Sequence, residues 1–240
     1  MTALLAFDTA TEQMSVALAS GGRVWTHDAS GGAQASATLI PAIFGLLGQA
    51  GITLAALDAI AFGRGPGAFT GLRTACSVAQ GLALGAAKPV LPIDSLLAVA
   101  EDARGGRAEL RVWVAIDARM DEIYAAQYRF TAGSWQVLDA PMLTRPEQLN
   151  QRWRDAPPAE IAGNALGAFG TRLQTDGVRC DPDALPRAAA MVTLAQALWQ
   201  CGGAVDPVLA LPLYLRDKVA QTTLEREALR AAKALAGAAP

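Results

Sequence analysis

The chain has 240 residues, 52% of them hydrophobic and 18% charged, with 20 Lys and Arg against 22 Asp and Glu. This composition excludes wholesale disorder and supplies a core for one large domain or two small ones. The near-neutral balance, with no basic cluster of five or more, weighs against a chain that grips nucleic acid unaided.

In chain order, "ALLAFDTA" (3–10) and "QMSVALAS" (13–20) read as strands, and "GGRVWTHD" (21–28) follows a Gly-Gly turn as a third. The segment 36–51 carries Leu39, Ile43, Phe44 and Leu47 at helical spacing. "LDAIAFGRG" (57–65) is a buried strand that ends in a glycine turn, and a helix runs from about 68 to 87. A short strand (88–94) and a helix (95–105) with Ser95 as N-cap complete a β-β-β-α-β-α-β-α order. Glycines near 105 mark a boundary. Beyond it, 110–130 reads as two strands and a turn, 134–139 as a third strand, and 146–153 as a short helix. Strand, turn and helix follow over 159–174, then a helix over 187–203, an extended stretch over 211–217 and a polar helix or frayed end over 223–240. The expected organisation is an N-terminal α/β domain (1–105), a second α/β domain (106–205), and a segment 206–222 that packs back on the first. No clean sequence repeat is visible.

The three cysteines, Cys76, Cys180 and Cys201, are scattered, which argues against a disulfide framework and for a reducing compartment. With His27 as the sole histidine they make no recognisable metal-ligand spacing. The N-terminus lacks the basic region of a signal peptide, and no long unbroken apolar run exists. The reading is a cytoplasmic chain with no membrane span.

"GRGPGAFTGLR" (63–73) raises the question of phosphate binding, because a glycine turn before a helix is a common anion cradle. A P-loop needs a Gly-Lys pair, and none exists here. A dinucleotide fingerprint fits Gly63, Gly65 and Ala68, but no acid stands about twenty residues on, and three hairpin strands precede it. A tight strand-to-helix turn explains the glycines better.

The helices say more. No charge occurs between Ala29 and Leu57, or between Arg73 and Lys88. Gly71, Ala75, Ala79 and Ala83 form one stripe of small residues, and Ser77, Gly81 and Gly85 another. A helix on one side of a sheet should show a charged outer stripe. Two without one are expected to cover a partner, and small stripes admit a close helix. The expected interface is Leu39, Ile43, Phe44, Leu47, Phe69, Leu72, Arg73, Cys76, Ala79 and Ala83. Ala79→Glu or Ala83→Glu is expected to block pairing while the domain still folds.

"LLAFDTATEQMSVALA", "FGRGPGAFTGLRTACSVAQGLALG", "VLPIDSLLAVA", "IDARMDEIYAAQY" and "LYLRDKVA" together resemble the TsaB (YeaZ) family over nearly the whole chain. The resemblance implies an actin- and hexokinase-like fold of two similar α/β domains. It implies a non-catalytic scaffold in making threonylcarbamoyladenosine on tRNA. The implied partners are a TsaD-type catalytic subunit, paired through helices 36–50 and 68–87, and a TsaE-type ATPase, with a homodimer when the chain is alone. tRNA would be met only through the complex. ATP or ADP and metal would belong to the partner subunits, with no cofactor for this chain. The catalytic relative's His-x-x-x-His pair is replaced here by "QASATLIPA". The turn "DTATEQ" (8–13) lacks the glycine of phosphate-binding relatives, and "AGNALGAFG" (162–170) lacks a doubled glycine. Asp8, Thr9 and Gly163 are the residual nucleotide-loop positions, and capping of a strand end is the plainer role for the first two. Asp117, Arg119, Asp121 and Glu122 read as a solvated turn with local ion pairs. Arg216 and Asp217 are expected to pair on the first domain. The competing reading is an autonomous nucleotide-dependent enzyme of the same fold.

Overall fold

The alternating apolar runs at the N-terminus pair as a meander. β1 (Leu4–Asp8) and β3 (Arg23–Ser30) both lie antiparallel to β2 (Gln13–Ser20). Gly21 and Gly22 take φ of +59° and +79° in the two-residue turn between β2 and β3, which suits a primed hairpin turn. These features come from a computed structural model that describes residues 2–216. α1 (Ala35–Ala50) ends where Gly51 turns left-handed, with φ +66°. β4 (Ala59–Gly65) runs parallel to β1, α2 (Phe69–Ala86) follows, and β5 (Val90–Asp94) is parallel to β4. α3 (Ser95–Arg104) leads out of this half.

The second half builds the same thing again. β6 (Leu110–Arg119), β7 (Glu122–Thr131) and β8 (Ser134–Thr144) form a meander, followed by α4 (Pro146–Asp155). β9 (Glu160–Ala162) lies parallel to β6, then come α5 (Ala165–Phe169), β10 (Arg179–Asp181) and α6 (Ala188–Gln200). The sheet orders are β3-β2-β1-β4-β5 and β10-β9-β6-β7-β8. Two mixed α/β sheets of this kind fit an actin- and hexokinase-like fold. No helix among the described residues is long and apolar enough to cross a membrane.

Three placements differ from the sequence expectation. β10 carries no sequence signal, because Arg179 and Cys180 are exposed and three residues show no period. α6, grouped with the second half from sequence, packs on the first sheet. Alternate residues of β1, β2 and β4 (Leu4, Ala6, Ala17, Ala61) meet Met191, Val192 and Ala195 there. The Ala188 amide donates to Ser15 Oγ on β2 at 2.7 Å. The return segment bridges Val205 to Val90, and the Leu213 amide reaches the Arg64 carbonyl at 2.7 Å. Arg216, however, pairs with Glu122 of the second half at 2.5 Å rather than on the first. Asp217 and the tail expected over 223–240 lie outside the described residues.

The other face of the first sheet is covered by α1 and α2. Leu5, Phe7, Val16, Leu18, Ile60 and Phe62 meet Leu39, Ile43, Leu47, Cys76, Ala79 and Ala83 in one cluster. This corrects the expected interface. Leu39, Ile43, Leu47, Leu72, Cys76, Ala79 and Ala83 are buried in the chain's own core. Apart from Arg73 near the start of α2, both sides of each helix are uncharged, so periodicity alone could not say which stripe faces the sheet. The first small stripe does, because it lets α2 sit close to β1 and β4. A glutamate at 79 or 83 therefore lands in the core, contrary to the expected folded variant.

The two stripes make a signed prediction. A Cβ at Gly71 would lie 1.8 Å from the Thr9 carbonyl oxygen, whereas one at Gly81 meets nothing within 4 Å. Gly→Ala in an exposed helix interior gains about 0.5–1 kcal/mol. Gly81→Ala should raise the urea midpoint of the isolated chain. Gly71→Ala should lower it, with a loss of about 2 kcal/mol or more in unfolding free energy, because backbone must move. Equal effects at both positions would contradict the packing described.

Candidate functional site

The glycine turn is shaped by protein, not by an anion. A Cβ at Gly63 would lie 1.8 Å from Asp8 Oδ2, and one at Gly67 would lie 2.6 Å from both Cβ and O of Ala10. The Ala68 amide donates to the Ala10 carbonyl at 2.7 Å, and Thr9 Oγ1 donates to the Gly71 carbonyl at 2.7 Å. The stretch 8–10 thus lies in the trough that a phosphate would need.

Asp8 is closed off. Its side chain is buried, with the residue 1% exposed, and Thr9 is fully buried. Oδ1 accepts from the Ala10 amide at 2.5 Å and Oδ2 from Ser95 Oγ at 2.6 Å. Ser95 Oγ in turn accepts from the Gly65 amide at 3.2 Å. Ser95 therefore bridges three elements instead of capping α3, whose N-cap has no side-chain hydrogen bond. Burial pushes the Asp8 carboxyl up to about 6, against the pull of the two hydrogen bonds. The Cys76 thiol is pushed up to about 11, first by burial and then by the Asp8 charge. Gly163 has φ +117°, and a Cβ there would lie 2.3 Å from the Ala115 carbonyl oxygen. It lets the turn after β9 cross β6. Asp8, Thr9 and Gly163 do not fit the metal–nucleotide group that the family resemblance implies for related chains, since the acid and the threonine are buried against the chain's own atoms.

A cleft of about 480 Å³ lies beside them, between the two halves. Three of its lining residues, Met120, Asn164 and Tyr214, gave no sequence signal, because they come from two turns of the second half and from the return segment, far apart along the chain. The crowded hairpin tip sits at its rim. Arg119 pairs locally with Asp117 but also with Glu12 of the first half. Arg172 pairs with Asp121 and Glu147, and Arg216 with Glu122. The tip is thus tied by long-range ion pairs as well as local ones. His27 lies within edge strand β3 and is exposed.

The second candidate surface is the outward side of α1 and α2. Ile40, Phe44 and Leu84 are 42%, 50% and 64% exposed there. Gly45, Gly48, Gly81 and Gly85 lie in the same two helices, and a Cβ at any of them would meet nothing within 4 Å. Arg73 is exposed, yet its guanidinium stacks on Phe69 at 3.8 Å and its Nε donates to Tyr214 Oη at 3.2 Å. Of the ten expected interface residues, Phe44, Phe69 and Arg73 keep surface.

A model of the TsaD family, described as tRNA N6-adenosine threonylcarbamoyltransferase, matches residues 26–174, more than half of the chain. The TsaB protein of Escherichia coli K12 is 36% identical over 225 residues, which cover 90% of this chain and 96% of that protein. The chain belongs to the TsaB (YeaZ) family. The Haemophilus influenzae TsaB protein is also 36% identical over 225 residues, covering 90% of this chain and 94% of that relative. Both relatives are named tRNA threonylcarbamoyladenosine biosynthesis proteins. Pseudomonas aeruginosa YeaZ has a solved structure that superposes with TM-score 0.81 at 40% identity, covering 90% of this chain and all of that one.

The closed acid makes a pH prediction. Its folded value, about 6, lies above the ordinary 3.8. The native state therefore binds more protons than the unfolded state between these values, and stability falls as pH rises through 6. Once ionised, Asp8 costs about 3 kcal/mol relative to its neutral form. Asp8→Asn should flatten the stability slope between pH 4 and 7 and raise the urea midpoint at pH 8. A less stable variant at pH 8 would contradict a net penalty for the ionised, buried acid.

Proposed function

We propose that this chain is a non-catalytic scaffold subunit of the cytoplasmic assembly that makes threonylcarbamoyladenosine on tRNA. One observation carries the reading: apart from Arg73 in the first turns of α2, the outward sides of α1 and α2 are uncharged, and they hold glycines with open space above them. Glycine in an exposed helix costs about 1 kcal/mol against alanine, and nothing in the isolated fold requires it at Gly45, Gly48, Gly81 or Gly85. Close approach of another helix does. Ile40, Phe44 and Leu84 supply the apolar contact.

The partner in this reading is a TsaD-type catalytic subunit, replaced by a second copy of the chain when the subunit is missing. A TsaE-type ATPase joins the pair. tRNA is reached only through the complex, and nucleotide and metal belong to the partners. The names of the relatives support the pathway. The closed Asp8 supports the absence of chemistry in this chain, as does an α1 without histidine. The same closure disfavours an autonomous nucleotide-dependent enzyme.

Phe44→Asp and Leu84→Glu put a charge on this face without entering the core. Each should weaken pairing with the host's TsaD-type subunit at least about 100-fold in sedimentation velocity, by burying an unpaired charge. The melting temperature of the isolated chain should stay within about 2 °C, as for other surface substitutions. Undiminished pairing in both variants would move the interface elsewhere.

A further inference from the structure

The scaffold reading leaves the cleft between the halves unused, and its lining has a definite chemistry. One wall is Phe69, Leu72, Leu213 and Tyr214, with the Phe69 and Tyr214 rings 5.3 Å apart. Ile116, Ala118 and Met120 of the β6–β7 hairpin form another. The rim charges are spent on one another. Arg119 meets Glu12 and Asp117, and Arg216 meets Glu122 together with the carbonyls of Ala118 and Arg119 at 3.1 and 3.2 Å. Neither lining arginine is left over for a phosphate, Arg73 behind the aromatic wall is engaged by the Phe69 ring and Tyr214 Oη, and the Ala68 amide at the start of α2 is already bonded to Ala10. Asn164 is different. Its Oδ1 accepts from the Asp117 amide at 2.9 Å, which fixes the side chain. Its Nδ2 donors have no acceptor among the described residues.

The hairpin tip adds a second, independent sign. Arg119, Met120 and Asp121 take φ of +60°, +57° and +64°, three successive left-handed residues with side chains. Such strain persists only where the surroundings over-determine it, as in ligand clamps. Here Glu12, Arg172 and Arg216 hold the tip from three directions. Met120 is left 61% exposed at the cleft, its sulfur 3.5 Å from Arg216 Nη1.

We propose that the cleft binds a small, uncharged ligand built on a flat heteroaromatic ring, held between Met120 and the Phe69–Tyr214 pair, with a ring acceptor on Asn164. Aromatic faces and a thioether favour a flat π-system. Spent charges disfavour an anion, and the free amide donors select a heteroatom. The volume falls within the usual range for small-ligand sites. The metal and triphosphate usual for this fold class find no place, because Asp8 is closed.

The test is isothermal titration calorimetry of the full chain with adenosine, cytidine, uridine and caffeine as uncharged ring probes, and with ATP as the charged one. At least one uncharged probe should bind with Kd near about 0.1 mM, the affinity expected for a ligand of that size. It should bind about ten-fold or more tightly than ATP. Met120→Ala should weaken it about five-fold or more with an unchanged melting temperature, and Asn164→Ser about five-fold or more with only the few degrees that loss of its bond to the Asp117 amide costs. No binding by any uncharged probe up to about 5 mM would overturn the proposal. So would ATP binding as tightly as the best of them, or affinity unchanged in both variants. Pairing with the partner subunit is read separately and is not at stake.

Discussion

The end of β1 is seated directly against the turn between β4 and α2, and much of the first half depends on that contact. Gly63, Gly67 and Gly71 are four apart, and each gives up a side chain so that Asp8, Ala10 and Thr9 can lie against it. Hydrogen bonds from Thr9 to Gly71 and from Ala68 to Ala10 close the seam. Seating α2 this close forces its Gly71–Ala83 stripe inward, and the inward stripe leaves Ser77, Gly81, Leu84 and Gly85 outside. The same contact seals the carboxylate that would otherwise open towards the cleft. One packing decision thus fixes both what the cleft floor lacks and what the helix face presents.

A good part of this was legible in the sequence. The strands of the first meander and the five longer helices announced themselves through period-two and period-3.6 patterning and through Gly21-Gly22, Gly51 and Gly105. The glycine turn could be separated from a phosphate loop because it lacks lysine. The duplication entered only through the family resemblance, since the two halves share strand order and pairing directions but no aligned motif. Topology is set by where apolar strands and turns fall, and very different residues can satisfy it.

The less legible parts have physical reasons. Leu39, Ala79 and their neighbours were placed on a partner surface because helices without charge offer no polar stripe to orient them. Burial against Phe7, Val16 and Phe62 decides the matter, and these are contacts far apart in sequence. Ser95 looked like an N-cap but spends its hydroxyl on Asp8, a partner 87 residues away. Asp117 to Glu122 looked like a local cluster, yet Glu12, Arg172 and Arg216 hold it from a distance. Such pairings are properties of the assembled halves.

The account centres on the outward face of α1 and α2 as the partner surface. Hydroxyl-radical footprinting of the chain, alone and saturated with its host's TsaD-type subunit, reads that face side chain by side chain. Ile40, Phe44 and Leu84 should lose most of their reactivity in the complex, while Val137 on β8, also exposed, keeps its own. A formed complex in which Phe44 and Leu84 stay fully reactive would contradict the account.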